Sequence, residues 1–205
     1  GTPRHLGRGP ADPNITYFRT LDDYQRLRAE AETGQRFAVV GGGFIGSELA
    51  AALSMTGKQV VMALLGDGSD GRILPADSAE YLNGYYRQHG VTVLPHTEVV
   101  SIERQGKVII LRTKDTVSGA QRSDEVDAVV AGLGITPNTD VAREAGLTVE
   151  NGVVVDEFLR TSQPDIYAAG DIALAFNSAL GRKVRVEHEN NARVMGKAAG
   201  KAMAR

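Results

Sequence analysis

The chain has no cysteine, which excludes disulfides, thiolate metal sites and a redox-active cysteine pair within these residues. It has no tryptophan either, an absence that carries no functional information. Charge of one sign is also lacking: 23 Lys and Arg stand against 25 Asp and Glu, a net charge of −2. Nothing in that balance draws the chain to nucleic acid or to an anionic membrane. No apolar run approaches the roughly 20 residues of a membrane span, and the opening GTPRHLGRGPADPN has no hydrophobic centre of a signal peptide. The expected location is therefore the cytoplasm. Repeats and low-complexity tracts are missing as well.

What is present is an ordinary globular composition. Apolar residues make up 42% and charged residues 23% of 205 residues, enough to bury a sizeable core in one large domain, or in one domain and part of another. Residues 1–14 are broken by Gly1, Gly7, Gly9, Pro3, Pro10 and Pro13 and read as an extended connector. Thr20 followed by Asp23 is a helix-capping pair, and Gly34 stops that helix. Arg36–Val40 is a short apolar strand of the kind covered on both faces, a helix runs over Phe44–Met55, and a second strand covers 59–65.

Asp77–His89 is predicted as a helix and 91–94 as a third strand. Three β segments follow as an antiparallel meander, over 98–104, 107–113 and a return through 125–132. A short helix ends at Gly146, a hairpin turns at Asn151-Gly152, and 166–171 is predicted as a buried strand ending in Gly-Asp. A long helix from about Glu189 places Ala192, Met195, Ala198, Ala199 and Ala202 on one side.

Gly41-x-Gly43-x-x-Gly46 sits between a strand and a helix and is followed by another strand, the context that gives this spacing meaning. The first glycine permits the tight turn, the second lets backbone approach a diphosphate, and the third allows close helix–strand packing. The diphosphate then rests on the positive helix end. The carboxylate expected about 20 residues on for the adenosine ribose falls where the sequence reads Leu64-Leu65-Gly66-Asp67. Asp67 is the candidate, and a surface-turn aspartate is the equally good alternative. No arginine follows at once to receive a 2′-phosphate, which favours NAD over NADP. Glu48 is either a carboxylate favoured near a helix start or a group at the nicotinamide.

The segments 41–50 (GGGFIGSELA), Arg72-Ile-Leu-Pro75, Gly132-Leu-Gly-Ile-Thr-Pro-Asn138, Tyr167-Ala-Ala-Gly-Asp171 and Arg185-Val-Glu-His188 occur in that order. Together they resemble the FAD- and NAD-dependent pyridine nucleotide-disulphide oxidoreductases, most closely the apoptosis-inducing factor and ferredoxin-reductase-like branch. The resemblance implies an α/β fold: a three-layer Rossmann-like NAD(H)-binding domain with an inserted antiparallel β-meander, plus a remnant of an FAD-type domain. The expected boundaries are 1–13 for a connector, 14–155 for the NAD(H) domain and 156–205 for the remnant.

It further implies that Gly42, Gly43, Phe44, Ile45, Glu48, Arg72 and Gly134 line the NAD site, with Phe44 near the nicotinamide; the fingerprint adds Gly41 and Gly46, and its spacing adds Asp67 as the ribose candidate. Glu187 and His188 would lie where nicotinamide meets flavin, the helix beginning near Glu189 would aim its positive end at the flavin ring, and Asp171 would hydrogen-bond the flavin's ribityl chain. Cofactors carry the chemistry in such enzymes, so no catalytic side chain and no metal ligand is assigned, and His188 reads as a packing or hydrogen-bonding residue.

Only one glycine fingerprint is present, and residues 1–14 resemble the connector that ends the first FAD half. The expectation is a fragment: the NAD(H)-binding part of a flavin-dependent reductase that passes hydride from NADH to FAD and electrons to an unknown acceptor. By itself it is expected to be inactive, not to retain FAD, and to be capable of self-association as a homodimer. The alternative is a flavin-free nucleotide-binding module. Nucleic acid is not an expected partner, and Arg182-Lys183-Val-Arg185 reads as a solvated basic loop.

Overall fold

In the computed structural model, which describes residues 1–7, 11–67 and 74–204, the chain divides into two units, Pro3–Gly134 and Gly1–Thr2 with Ile135–Arg205. After a two-residue strand, β1 (Thr2–Pro3), the first unit runs β2 (Ile15–Tyr17), α1 (Leu21–Thr33), β3 (Arg36–Val40), α2 (Phe44–Met55) and β4 (Gln59–Ala63). It continues with α3 (Ala76–Gln88), β5 (Val91–Leu94), β6 (Thr97–Gln105), β7 (Val108–Asp115), β8 (Gln121–Val126) and β9 (Ala128–Ala131). The start of α1 is a capping box. Thr20 Oγ1 accepts from the Asp23 N–H at 3.2 Å, and Asp23 Oδ2 accepts from the Thr20 N–H at 2.7 Å.

Five strands form a parallel sheet in the order β2-β9-β3-β4-β5, and β6-β7-β8 form an antiparallel sheet. Alternation along β3 shows how these layers stack. Phe37 and Val39 share a buried cluster with Leu27 of α1 and Ala50 and Leu53 of α2. Ala38 and Val40 face the other way, into a cluster with Ile109 and Leu111 of β7. Helices, parallel sheet and meander are thus the three layers, as the family resemblance implied.

The return segment differs from expectation. Residues 125–132 are not one strand: the chain leaves the meander after Val126 and enters the parallel sheet at Ala128. Asp127 makes the break. Its Oδ2 accepts from the backbone N–H groups of Gln35 and Arg36 at 2.7 and 2.9 Å, and its Oδ1 from the Arg36 guanidinium at 3.2 Å. Burial pushes this carboxyl upward, but those hydrogen bonds and the Arg36 charge outweigh it and hold the group below its ordinary value.

The second unit contains β10 (Ile135–Thr136), α4 (Asp140–Glu144), β11 (Val149–Glu150), β12 (Gly152–Val155), β13 (Ala173–Asn177), β14 (Arg182–Val184) and α5 (Glu189–Met203). Its sheet has the order β11-β12-β13-β14, with β12 and β13 parallel and the outer pairs antiparallel. The hairpin around Asn151-Gly152 therefore shares a sheet with the segment that follows it. Residues 166–171 are not a buried strand. Ile166 is exposed, Tyr167 makes one isolated bridge to Arg160, and Gly170–Ile172 is a 3-10 turn that delivers the chain to β13. Ala199 and Met195 of α5 pack on Val155, Leu159 and Ala173, whereas Ala198 is exposed. No helix among the described residues is long and apolar enough to cross a membrane.

Candidate functional site

β3 is central, and the chain runs from it to β4 on one side while β9, much later in sequence, pairs on its other side. Crevices at the carboxyl ends of strands form where the order reverses in this way. The Gly41 N–H donates to Ala63 O, and the Gly132 N–H to Val40 O, both at 2.9 Å, so the ends of β4, β3 and β9 are joined.

The glycines divide into two kinds. Gly41 has φ +104, and a Cβ there would lie 2.5 Å from Gly132 O. A Cβ on Gly46 would run into Gly41 O, and one on Gly132 would lie 2.8 Å from Gly46 N. These three bring turn, helix and β9 into direct backbone contact. Gly43 is different: its φ is an ordinary −79, and a Cβ there would meet nothing within 4 Å. Packing within the protein therefore does not require glycine at 43, and the backbone there is open to approach.

Gly43 is also the N-cap of α2, with no side-chain cap and no acidic residue in the first turn. The helix start thus presents its positive end without an internal counter-charge, which suits an anion. Gly42 is half-buried, and its carbonyl accepts from Ser47 Oγ at 3.4 Å. Phe44 is 47% exposed, Ile45 half-buried and Glu48 exposed along the same helix. Gly134, with φ +81, follows β9, and its carbonyl accepts from the Arg4 N–H at 3.0 Å. The sequence reading gave Gly132 no role of its own. A glycine directly after the apolar run 128–131 was the available signal.

Asp67 lies beyond the end of β4. Its backbone carbonyl accepts from the amide of Asn83, which is fully buried, at 3.0 Å, and its Oδ1 is 3.5 Å from His96 Nε2. His96, between β5 and β6, is another residue that sequence reasoning passed over. Arg72 lies outside the described residues. Among the described residues no group of three or more His, Asp or Glu side chains is arranged to hold a metal ion.

The remaining candidates belong to the second unit, where Arg185 organises them. Its side chain is only 6% exposed, so the last residue of the basic run is not solvated, contrary to expectation. Nη1 donates to Asp171 O at 3.0 Å and pairs with Glu187 Oε1 at 2.6 Å, while Nε donates to Asn151 O at 3.0 Å. Gly152, at φ +130, makes room, since a Cβ there would lie 2.9 Å from Arg185 Cδ. The guanidinium was missed because a run of basic residues looks the same on a page whether its members are solvated or buried. His188 is the N-cap of α5, its Nδ1 accepting from the Asn190 N–H at 3.2 Å. That role assigns the proton to Nε2. Glu189 is exposed in the first turn, 3.7 Å from Arg193.

The sequence profile described as pyridine nucleotide-disulphide oxidoreductase matches residues 1–196. The chain is 37% identical over 192 residues to the ferredoxin–NAD(+) reductase component of 3-phenylpropionate/cinnamic acid dioxygenase from Photorhabdus laumondii, covering 93% of this chain and 47% of that protein. A chain of the covalent putidaredoxin reductase–putidaredoxin complex superposes with a TM-score of 0.86 at 28% identity, over 99% of this chain and 49% of the other. The water-forming NADH oxidase of Lactobacillus brevis, bound to NADH, gives 0.84 at 26% identity, over 95% and 42%. The chain thus spans about half the length of the relatives it matches.

Proposed function

Because the chain belongs to the pyridine nucleotide-disulphide oxidoreductase family, we propose that it is the NAD(H)-binding part of a flavin-dependent oxidoreductase. The intact form passes a hydride from NADH to FAD and electrons onward, and by its likeness to ferredoxin–NAD(+) reductase components the acceptor is a ferredoxin-type carrier. One observation supports this best: open space in front of Gly43, at an uncapped helix start on the switch point of the sheet.

In this reading the backbone at Gly42, Gly43, Phe44 and Ile45 cradles the diphosphate, Gly134 borders the same crevice, and Phe44 and Glu48 lie toward the nicotinamide. Asp67 accepts from the adenosine ribose. Arg72 is retained as a site residue from the motif alone. The donor set of the second unit fits a flavin: Asp171 on a pinned turn suits the ribityl hydroxyls, and Glu187, His188 and Glu189 border the ring at the start of α5. Bound FAD would supply the hydride-accepting ring, and the protein's share of the work is orientation and exclusion of water. His188, engaged as a helix cap, needs no acid–base role. The 1–13, 14–155 and 156–205 division remains our proposed domain description. One glycine fingerprint serves one dinucleotide, so the chain as it stands is expected to be inactive and free of FAD.

The test is a visible spectrum of the purified chain followed by fluorescence titration with NADH. A colourless protein that binds NADH saturably supports the reading. Failure to bind NADH overturns the nucleotide site, and a retained flavin band overturns the assignment of a partial flavin site.

A further inference from the structure

We propose that His96 is a positioning residue that fixes Asp67 as the acceptor for the adenosine ribose, and so sets a preference for NADH over NADPH. The inference rests on the nucleotide-site reading above. A carboxylate beyond the second strand of such a sheet accepts from the ribose 2′-hydroxyl, whereas a 2′-phosphate needs a cation in its place. Here the strand end offers Gly66, where a Cβ would meet nothing within 4 Å. Asp67 is therefore the carboxylate at hand, and its direction has to be set by something else.

His96 is built to set it. It adopts φ +50, a left-handed conformation uncommon outside glycine, and the surrounding backbone over-determines it. The His96 N–H donates to Gly66 O at 3.0 Å, and its carbonyl accepts from Thr116 N at 2.7 Å and Thr116 Oγ1 at 2.9 Å. The neighbouring Thr97 N–H donates to Leu64 O at 2.7 Å. These bonds lace the turn holding His96 to the residues leading into Asp67, and place Nε2 3.5 Å from Oδ1. Buried Asn83 donates to the Asp67 carbonyl.

A role in stability explains this poorly. The Asp67 side chain is 66% exposed and that of His96 40%, and exposed pairs contribute little to folding. Strained residues held by their surroundings concentrate where function needs a fixed geometry. An oriented carboxylate left open to solvent is what a ribose hydroxyl would meet.

The experiment compares dissociation constants for NADH and NADPH in wild type, D67N, H96N and the double variant. Asparagine tolerates the left-handed backbone, so H96N keeps the turn and removes the imidazole. The wild-type chain is expected to prefer NADH. D67N should lower the NADPH-to-NADH ratio of constants about tenfold, and H96N about threefold. The double variant should match D67N, because His96 acts through Asp67. General loosening of the fold would weaken both nucleotides alike and leave the ratio in place. An unchanged ratio in H96N, or additive effects in the double variant, overturns the proposal. Loss of all NADH binding already in wild type would instead overturn the nucleotide site itself, and the proposal with it.

Discussion

Gly41 and Gly132 meet across the crevice so closely that a Cβ on Gly41 would lie 2.5 Å from the carbonyl oxygen of Gly132. The turn after β3 is thereby seated on the end of β9, and Gly46 is drawn into the same contact. Gly43, two residues from this lock, stands clear of every protein atom that a methyl group would touch. These glycines therefore separate into those whose missing side chain the fold requires and one, Gly43, where packing within the protein makes no such demand.

Alanine at these positions should separate the two demands. G46A is expected to destabilise the chain by about 3 kcal/mol, through overpacking against the Gly41 carbonyl. G43A should unfold with the wild-type profile yet raise the NADH dissociation constant at least tenfold, by placing a methyl where the diphosphate approaches. Thermal unfolding by circular dichroism and an NADH titration check both. A G43A protein that binds like wild type would remove the diphosphate from this turn.

Asp127 should make the stability of the first unit depend on acid. Its native carboxyl is held below the usual value by the Gln35 and Arg36 N–H groups and the Arg36 guanidinium, against burial. The ionised form thus stabilises the fold above the unfolded value of about 4, and that contribution disappears as pH falls through the depressed native value. D127N should cost about 2 kcal/mol at pH 7. Urea unfolding at pH 7 and pH 3 should show the gap between variant and wild type closing in acid.

Arg185 should prove structural to the second unit. R185M leaves Glu187 without its partner and two backbone carbonyls without a donor, and is expected to cost about 2 kcal/mol. R185K keeps the charge but not the planar fork, so it should recover only part of the loss. Faster proteolysis within 150–190 is the expected readout, and wild-type resistance in R185M would contradict the assignment.

His188 should be replaceable by another cap. H188N retains a side-chain acceptor for the Asn190 N–H, while H188A loses it and should cost about 1 kcal/mol. Equal stability of H188A and wild type, measured by urea unfolding, would show that the capping bond contributes nothing.

The sequence by itself determined whatever is written in local order. The Thr20–Asp23 box, the apolar run Arg36–Val40, the fingerprint 41–46 and the helix after it were legible because each depends on neighbours a few residues away. Tertiary structure decided the rest, since it depends on residues far apart in the chain. Asp127 breaks a run that otherwise reads as one strand, because Gln35 and Arg36 lie beside it to be bound. The strand read at 166–171 gave way to Ala173–Asn177, the segment that pairs with β12. Gly132 gained its role from Gly41 and Gly46, and Arg185 is buried because Asn151, Asp171 and Glu187 converge on it. The contact of Asp67 with His96 likewise joins residues far apart in the chain, through a left-handed backbone at His96 that no local pattern announces.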